Sequence, residues 1–259
     1  MYVILLAMKN TIPTPKGILF DMDGVLLITT QSFDQSWQLV CQQFAPTLDL
    51  PPHRLEAALR ESRSAYRKDI EHNAQKQRRD RLEPFETRRE TVERALEQIG
   101  RADSTRATEL VRVYETLRDR HRQLAPYALE TLQRLRDCSL PLALISNGNA
   151  TYQRRKIKQH HLASFFSTIL IEEEFGVSKP DPRIFRAALD HLHITAQEAW
   201  MIGDDLAFDI AASQQLGIFA IWCDPTQRGL PENSSIYPDW IIDSLPELFD
   251  LHADLSSSI

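Results

Sequence analysis

Four short stretches combine residue types that can hold a metal ion or grip a phosphoryl group. In Ile18-Leu19-Phe20-Asp21-Met22-Asp23-Gly24, two carboxylates one residue apart end a short apolar run. Negative charge crowded beside buried backbone is unfavourable, and a divalent cation with oxygen ligands, such as Mg²⁺, is the simplest compensation. An Asx-type turn closing a strand accounts for the same residues without a metal. In Leu144-Ile145-Ser146-Asn147-Gly148-Asn149 a hydroxyl and a glycine follow a second apolar run. Ser146 and the neighbouring N–H groups can hold a phosphate oxygen there, although a ligand-free Ser-Asn-Gly turn would read alike. Val177-Ser178-Lys179-Pro180-Asp181-Pro182 fixes a lysine before two prolines. That cation is placed to neutralise an acidic cluster or a phosphoryl group, whereas an isolated lysine is ordinarily a surface residue. Finally, Met201-Ile202-Gly203-Asp204-Asp205-Leu206-Ala207-Phe208-Asp209 sets three carboxylates in six residues. Asp204 and Asp205 can reach a metal from the loop, and helix N-capping by either is the competing account.

The apolar pattern supplies the elements that must position these groups. Runs at Gly17 to Phe20, Pro141 to Ile145, Thr168 to Ile171, Ala199 to Ile202, Ile218 to Trp222 and Trp240 to Ile242 are short and nearly continuous. Strands covered on both faces look like this. Helical spacing fills the intervals, as at Ile184, Ala187, Ala188 and His191. Strands alternating with helices predict an α/β fold, an open parallel Rossmann-like sheet flanked by helices, with ligands at the carboxyl ends of the strands. Glycine is scarce, 8 in 259 residues, yet Gly24, Gly148 and Gly203 all fall beside strand ends. Those are the places where the chain turns tightly or lets backbone approach a ligand.

Residues 28 to about 125 show no convincing strand. Phe33, Trp37, Val40 and Phe44 follow helical spacing, as do Leu55, Leu59, Ser62 and Tyr66 after Pro52. A third helix carries Val92, Ala95, Leu96 and Ile99 and ends at Gly100, and a fourth carries Leu110, Val111, Tyr114 and Leu117 behind Asp103 or Ser104 as N-cap. His72 to Pro84 reads as a loop or a solvated helix. The expected organisation is a core of residues 14–27 plus 126–259 and an all-helical subdomain of residues 28–125. Charge divides similarly: residues 53–123 hold 18 Lys and Arg against 14 Asp and Glu, a net of +4, and the rest nets −10.

Taken in order, Asp-x-Asp, Ser, Lys and Gly-Asp-Asp-x-x-x-Asp, each after its own strand, resemble the motifs of the haloacid dehalogenase (HAD) superfamily, most of whose members are Mg²⁺-dependent phosphatases. The resemblance covers Gly17 to about Trp222, with the helical insert where a family cap would lie. It implies that Asp21 is the nucleophile that forms an aspartyl-phosphate, and that Asp23 is the acid and then the base. It implies Mg²⁺ on the Asp21 carboxylate, the Asp23 backbone carbonyl and Asp204. Ser146 with the N–H groups of Asn147 and Gly148 would hold the phosphoryl oxygens, and Lys179 would bind the same group and pair with Asp21. Asp209 would orient metal-bound waters, and Asp205 stands between metal site and helix cap.

The implied reaction is hydrolysis of a small phosphorylated metabolite, a sugar phosphate or a nucleoside monophosphate. The dehalogenase branch has no acid two positions after its nucleophile and needs no metal, so Asp23, Asp204 and Asp205 argue against it. A sugar-phosphate mutase shares all four motifs and stays an alternative. So does a non-catalytic metal-binding or regulatory protein of the same fold. Ser146-Asn147-Gly148 followed by Gln153-Arg154-x-Lys156-Ile157 is similar to the nucleotidase and N-acylneuraminate-phosphatase side of the superfamily.

Composition bounds the remainder. An apolar content of 42% with 25% charged residues fits a folded globular protein, which excludes wholesale disorder. No apolar run nears the roughly 20 residues of a membrane span. Tyr2 to Met8 reads as an extension, or as an upstream start with Met8 the alternative. Three scattered cysteines, Cys41, Cys138 and Cys223, favour a reducing, cytoplasmic location. The net charge of −6 argues against a nucleic-acid partner. Arg60, Arg63, Arg67, Arg78, Arg79, Arg81, Arg88 and Arg89 can greet an anionic substrate, but Glu61, Glu86, Glu90 and Glu93 are spaced to pair with them on solvated faces. His191 and His193 would diverge on a helix or at its end, which argues against a zinc site.

Overall fold

The structure is a computed structural model that describes residues 12–251. The expectation for Tyr2 to Met8 lies outside those residues. In chain order the elements used below are β1 (Gly17–Phe20), β2 (Leu27–Thr29), α1 (Phe33–Phe44), α2 (Pro52–Ile70), α3 (Ala74–Leu82), α4 (Pro84–Gln98), α5 (Ser104–Arg120) and β3 (Arg122–Leu124). They continue with α6 (Ala128–Asp137), β4 (Leu142–Ser146), α7 (Ala150–Gln159), β5 (Thr168–Ile171), α8 (Glu172–Phe175), α9 (Pro182–Leu192), β6 (Ala199–Gly203), β7 (Phe219–Cys223) and β8 (Trp240–Ile242). Thr29–Gln123 forms one compact unit, and the chain on either side of it forms the other.

The second of these units is a six-stranded sheet in the order β5-β4-β1-β6-β7-β8, parallel throughout. Side chains alternate across a sheet. Accordingly Ile18, Phe20, Leu144, Trp200 and Ile202 pack on one face, and Leu19, Ala143, Ile145, Ala199 and Met201 on the other. Both faces are apolar, which explains the nearly unbroken apolar runs. From β1 the sheet grows in opposite directions, through β4 to β5 and through β6 to β8. This makes the carboxyl end of β1 the topological switch point, where open α/β sheets bind ligands. Pro141 stands just outside β4, and its carbonyl accepts from the Ile18 N–H at 3.1 Å.

Thr29–Gln123 packs α1, α2, α4 and α5 around a core that includes Trp37, Val40, Leu55, Leu59, Leu96, Leu110 and Tyr114. The Trp37 and Tyr114 rings stack 4.3 Å apart, so this indole is a core residue. Asp103 is the N-cap of α5 and accepts from the Arg106 N–H at 2.9 Å. His72 to Pro84 resolves into α3, which is capped by Asn73 and has no buried residue. The absence of strands expected from residue 28 to about 125 is corrected: β2 and β3 pair in a small sheet where the chain enters and leaves the helices. Three-residue strands with sequences Leu-Ile-Thr and Arg-Gln-Leu carry no alternation long enough to read. No helix among the described residues is long and apolar enough to cross a membrane.

Gly203 closes β6 with no room for a side chain, because a Cβ there would lie 2.2 Å from the Asp209 Cβ. Gly203→Ala must displace Asp209. We expect a loss of about 2 kcal/mol, read as a melting temperature lower by about 4–8 °C for a chain of this size.

Candidate active site

Asp21 follows β1 directly, and its N–H is held by the Ile202 carbonyl at 2.9 Å. Across from it Lys179 is 3% exposed, and its ammonium donates to Asp21 Oδ1 and, at 2.6 Å, to Asp209 Oδ1. Two features hold the lysine there. The Asn147 side chain donates to the Lys179 carbonyl at 2.9 Å and accepts from the Lys179 N–H at 2.8 Å. Asp181 then caps α9, with Pro182 as its first residue. Thus the loop after β4 fixes the cation that faces the carboxylate after β1.

Carboxylate oxygens of Asp21, Asp204 and Asp209 lie within 4.8 Å of one another. Gly24 allows this crowding, since a Cβ there would meet Asp204 Oδ2 at 2.2 Å and its φ is +92°. Such a set of hard oxygen donors fits a divalent cation of the Mg²⁺ type. Asp209 is 1% exposed and committed to Lys179 and to the Asp205 N–H at 3.1 Å. Asp205 resolves as a helix cap: one of its oxygens accepts from the N–H groups of Ala207 and Phe208, both at 2.8 Å, at the start of the π-helical turn Leu206–Ala211. His191 and His193 form no cluster: the first bonds the Ala187 carbonyl and the second is the left-handed cap of α9.

Burial pushes the Asp21 carboxyl well up, reinforced by Asp209 and Asp204 and opposed by Lys179. For Lys179 burial acts downward, but the charges of Asp209 and Asp21 outweigh it and hold the ammonium protonated. Asp204 is lifted to about 7, first by burial and then by Asp209, against the pull of Lys179.

Ser146 is buried at the end of β4, and its Oγ accepts from Gln153 Nε2 at 2.8 Å. The Gly148 N–H donates to Glu172 Oε2 at 2.9 Å. Glu172 is fully buried at the start of α8 and ties the loop after β4 to the end of β5. Asp23, by contrast, is reached by Lys156 at 2.6 Å and by Gln153 at 3.3 Å, both from α7. The sequence pattern had linked Gln153 and Lys156 only to a resemblance, and nothing in Glu172-Glu173-Glu174 marked the first glutamate as buried.

In the helical unit, Glu86, Glu90 and Glu93 pair with Arg89, Arg79 and Arg89 respectively, while Arg60 turns to Glu56. These are solvated pairs of small energetic weight. Arg63 differs: it is mostly buried, lies 4.0 Å over the Phe33 ring and reaches Asp34 at 3.0 Å. With Arg67, Arg88, Trp37 and Tyr66 it lines a cavity of about 190 Å³ inside that unit.

A parallel α/β sheet with a lysine-bridged acidic centre at its switch point defines a HAD-class hydrolase. The haloacid dehalogenase-like hydrolase family matches residues 15–217, and the chain belongs to that family. It is 39% identical over 168 residues to a phosphoserine phosphatase of Thermus thermophilus, an alignment covering 64% of each chain. It is 38% identical over 97 residues to a glyceraldehyde 3-phosphate phosphatase of Pyrococcus abyssi, covering 38% of this chain and 41% of that one. The chain thus spans less than two thirds of the length of these relatives. The magnesium-bound HAD hydrolase YfnB of Bacillus subtilis superposes with a TM-score of 0.67 at 22% identity, over 92% of this chain and 98% of that one, a likeness of fold.

The Asp204 pKa gives a test of the cation site. In the metal-free fold this carboxyl keeps its proton to about pH 7, whereas unfolded it would lose it near 3.8. Its contribution to metal-free stability is therefore full below the unfolded value and is lost as pH rises through the folded one. Cation binding needs the ionised form. The gain in melting temperature from Mg²⁺ over a chelator should grow between about pH 5 and pH 8. A gain that does not change with pH would mean that Asp204 does not meet the ion.

Proposed function

We propose that this chain hydrolyses phosphomonoesters of small metabolites with Mg²⁺, through an aspartyl-phosphate on Asp21. The observation that carries this reading is the buried Lys179 ammonium held between Asp21 and Asp209 in the same cluster as Asp204. An aspartate so placed is fixed, faces the mouth of the sheet and has a cation beside it for the charge of an incoming phosphate.

Asp21 attacks phosphorus as the ester P–O bond breaks, and the leaving oxygen takes a proton from Asp23. Asp23, now a carboxylate, removes a proton from water, whose oxygen attacks the aspartyl-phosphate. The bond to Asp21 breaks, phosphate leaves, and both aspartates return to their starting states. Lys179 and Ser146 hold the phosphoryl oxygens through both steps. Mg²⁺, held by Asp21, Asp204 and the Asp23 carbonyl, would supply positive charge against the phosphate.

The relatives named for phosphoserine and glyceraldehyde 3-phosphate support a small phosphorylated metabolite as the substrate class. A sugar phosphate or a nucleoside monophosphate falls in that class, and a screen across amino-acid, sugar and nucleoside phosphates would identify the preferred ester.

Phosphate release from 4-nitrophenyl phosphate should require Mg²⁺ and fall on the order of 10³-fold or more in Asp21→Asn. Equal turnover in that variant would overturn the nucleophile. Asp23→Asn should lower kcat by about 10²–10⁴-fold while Mg²⁺ binding is kept, because its proposed metal contact is the main-chain carbonyl. A variant that lost the metal instead would overturn its acid/base role.

A further inference from the structure

Asp23 has a half-exposed side chain, 45% accessible, whereas the lysine that reaches it is only 11% accessible. An ordinary surface bridge joins two solvated groups. Here a lysine has given up most of its water to end on one carboxylate oxygen, Asp23 Oδ2, at 2.6 Å. Gln153, three residues earlier on the same face of α7, lies 3.3 Å from that oxygen. Its buried amide nitrogen also donates to Ser146 Oγ at 2.8 Å and to the Asn147 carbonyl at 2.7 Å. One face of one helix therefore touches both the carboxylate that follows β1 and the hydroxyl that ends β4.

We propose that Lys156 and Gln153 are positioning residues for the reaction: Lys156 aims the Asp23 carboxyl group at the leaving oxygen, and Gln153 couples that aim to the phosphate seat at Ser146. The inference rests on the acid/base reading of Asp23. Lys156 touches neither the phosphoryl group nor Asp21 in this scheme, so its influence on the reaction passes through Asp23. Removing it should matter in proportion to how much the leaving oxygen needs a proton. A 4-nitrophenolate leaves without one, and an alkoxide does not. Gln153 has two tasks, and its loss should disturb phosphate binding as well.

The test measures kcat/KM for 4-nitrophenyl, phenyl and propyl phosphate, which are graded in leaving-group basicity, with the full chain and Mg²⁺. Lys156→Met should cost the propyl ester at least about tenfold more than the nitrophenyl ester, the direction in which Asp23→Asn also acts. Lys156→Arg should recover most of that difference by restoring the cation, and Lys156→Gln should not. Gln153→Ala should raise KM for all three esters by about tenfold, the cost of one mispositioned hydrogen bond. Should Lys156→Met fold poorly, Lys156→Gln gives the same comparison, because a ratio between esters cancels any loss of folded protein. Equal losses on all three esters, or an arginine that rescues nothing, would make Lys156 a structural bridge and overturn the inference. If Asp23→Asn itself shows no dependence on the leaving group, the acid/base reading fails and the inference with it. A dependence in Asp23→Asn but not in Lys156→Met defeats the inference alone.

Discussion

The ammonium of Lys179, enclosed between Asp21 and Asp209, is the interaction on which the centre depends. A buried charge without a partner is strongly destabilising, so none of the three groups can be kept there alone. Their mutual need dictates much of the surrounding backbone. Asn147 must clamp the lysine's own peptide groups, Gly203 must leave space for Asp209, and Gly24 must let Asp204 approach. Each constraint comes from a different strand end, and the parallel sheet brings those ends to one rim.

Charge balance at that rim favours a bound cation. With Asp21, Asp204 and Asp209 ionised, one lysine leaves an excess of negative charge that would repel a phosphate dianion. The protein alone meets the imbalance by lifting both Asp21 and Asp204 toward neutrality. A bound dication would meet it while keeping the carboxylates ionised, and would make the same rim attractive to an anion.

How much of this was legible in the sequence depended on whether the signal was local. Asp21, Asp23, Ser146 and Asp204 each follow an apolar run within a few residues, and strand ends are easy to place; Lys179 stands eight residues past Ile171 and was marked instead by the two prolines after it. Whether Asp204 or Asp205 caps the following helix was not legible, because the choice turns on backbone direction at one residue. Glu172 was hidden in a run of three glutamates, since its burial depends on where β5 delivers the chain. The bond it makes to Gly148 joins residues 24 apart. Lys156 and Asp23 are separated by 133 residues, a pairing no spacing rule reaches. β2 and β3 were too short to show a period at all.

Those two small strands also bear on how the chain reaches its fold. β1 must pair with β4 across more than a hundred residues, and a closed loop of that length is entropically unfavourable. The Thr30 N–H meets the His121 carbonyl at 3.0 Å, and the Ala125 N–H meets the Leu26 carbonyl at 2.8 Å, so the helical unit begins and ends at one point. Once folded with its ends stapled, it counts as a link of a few residues rather than about ninety. By the logarithmic loop rule this lowers the cost of joining β1 to β4 by about 1 kcal/mol. A helical unit that forms first would thus ease the pairing of β1 with β4, on which the acidic rim is built.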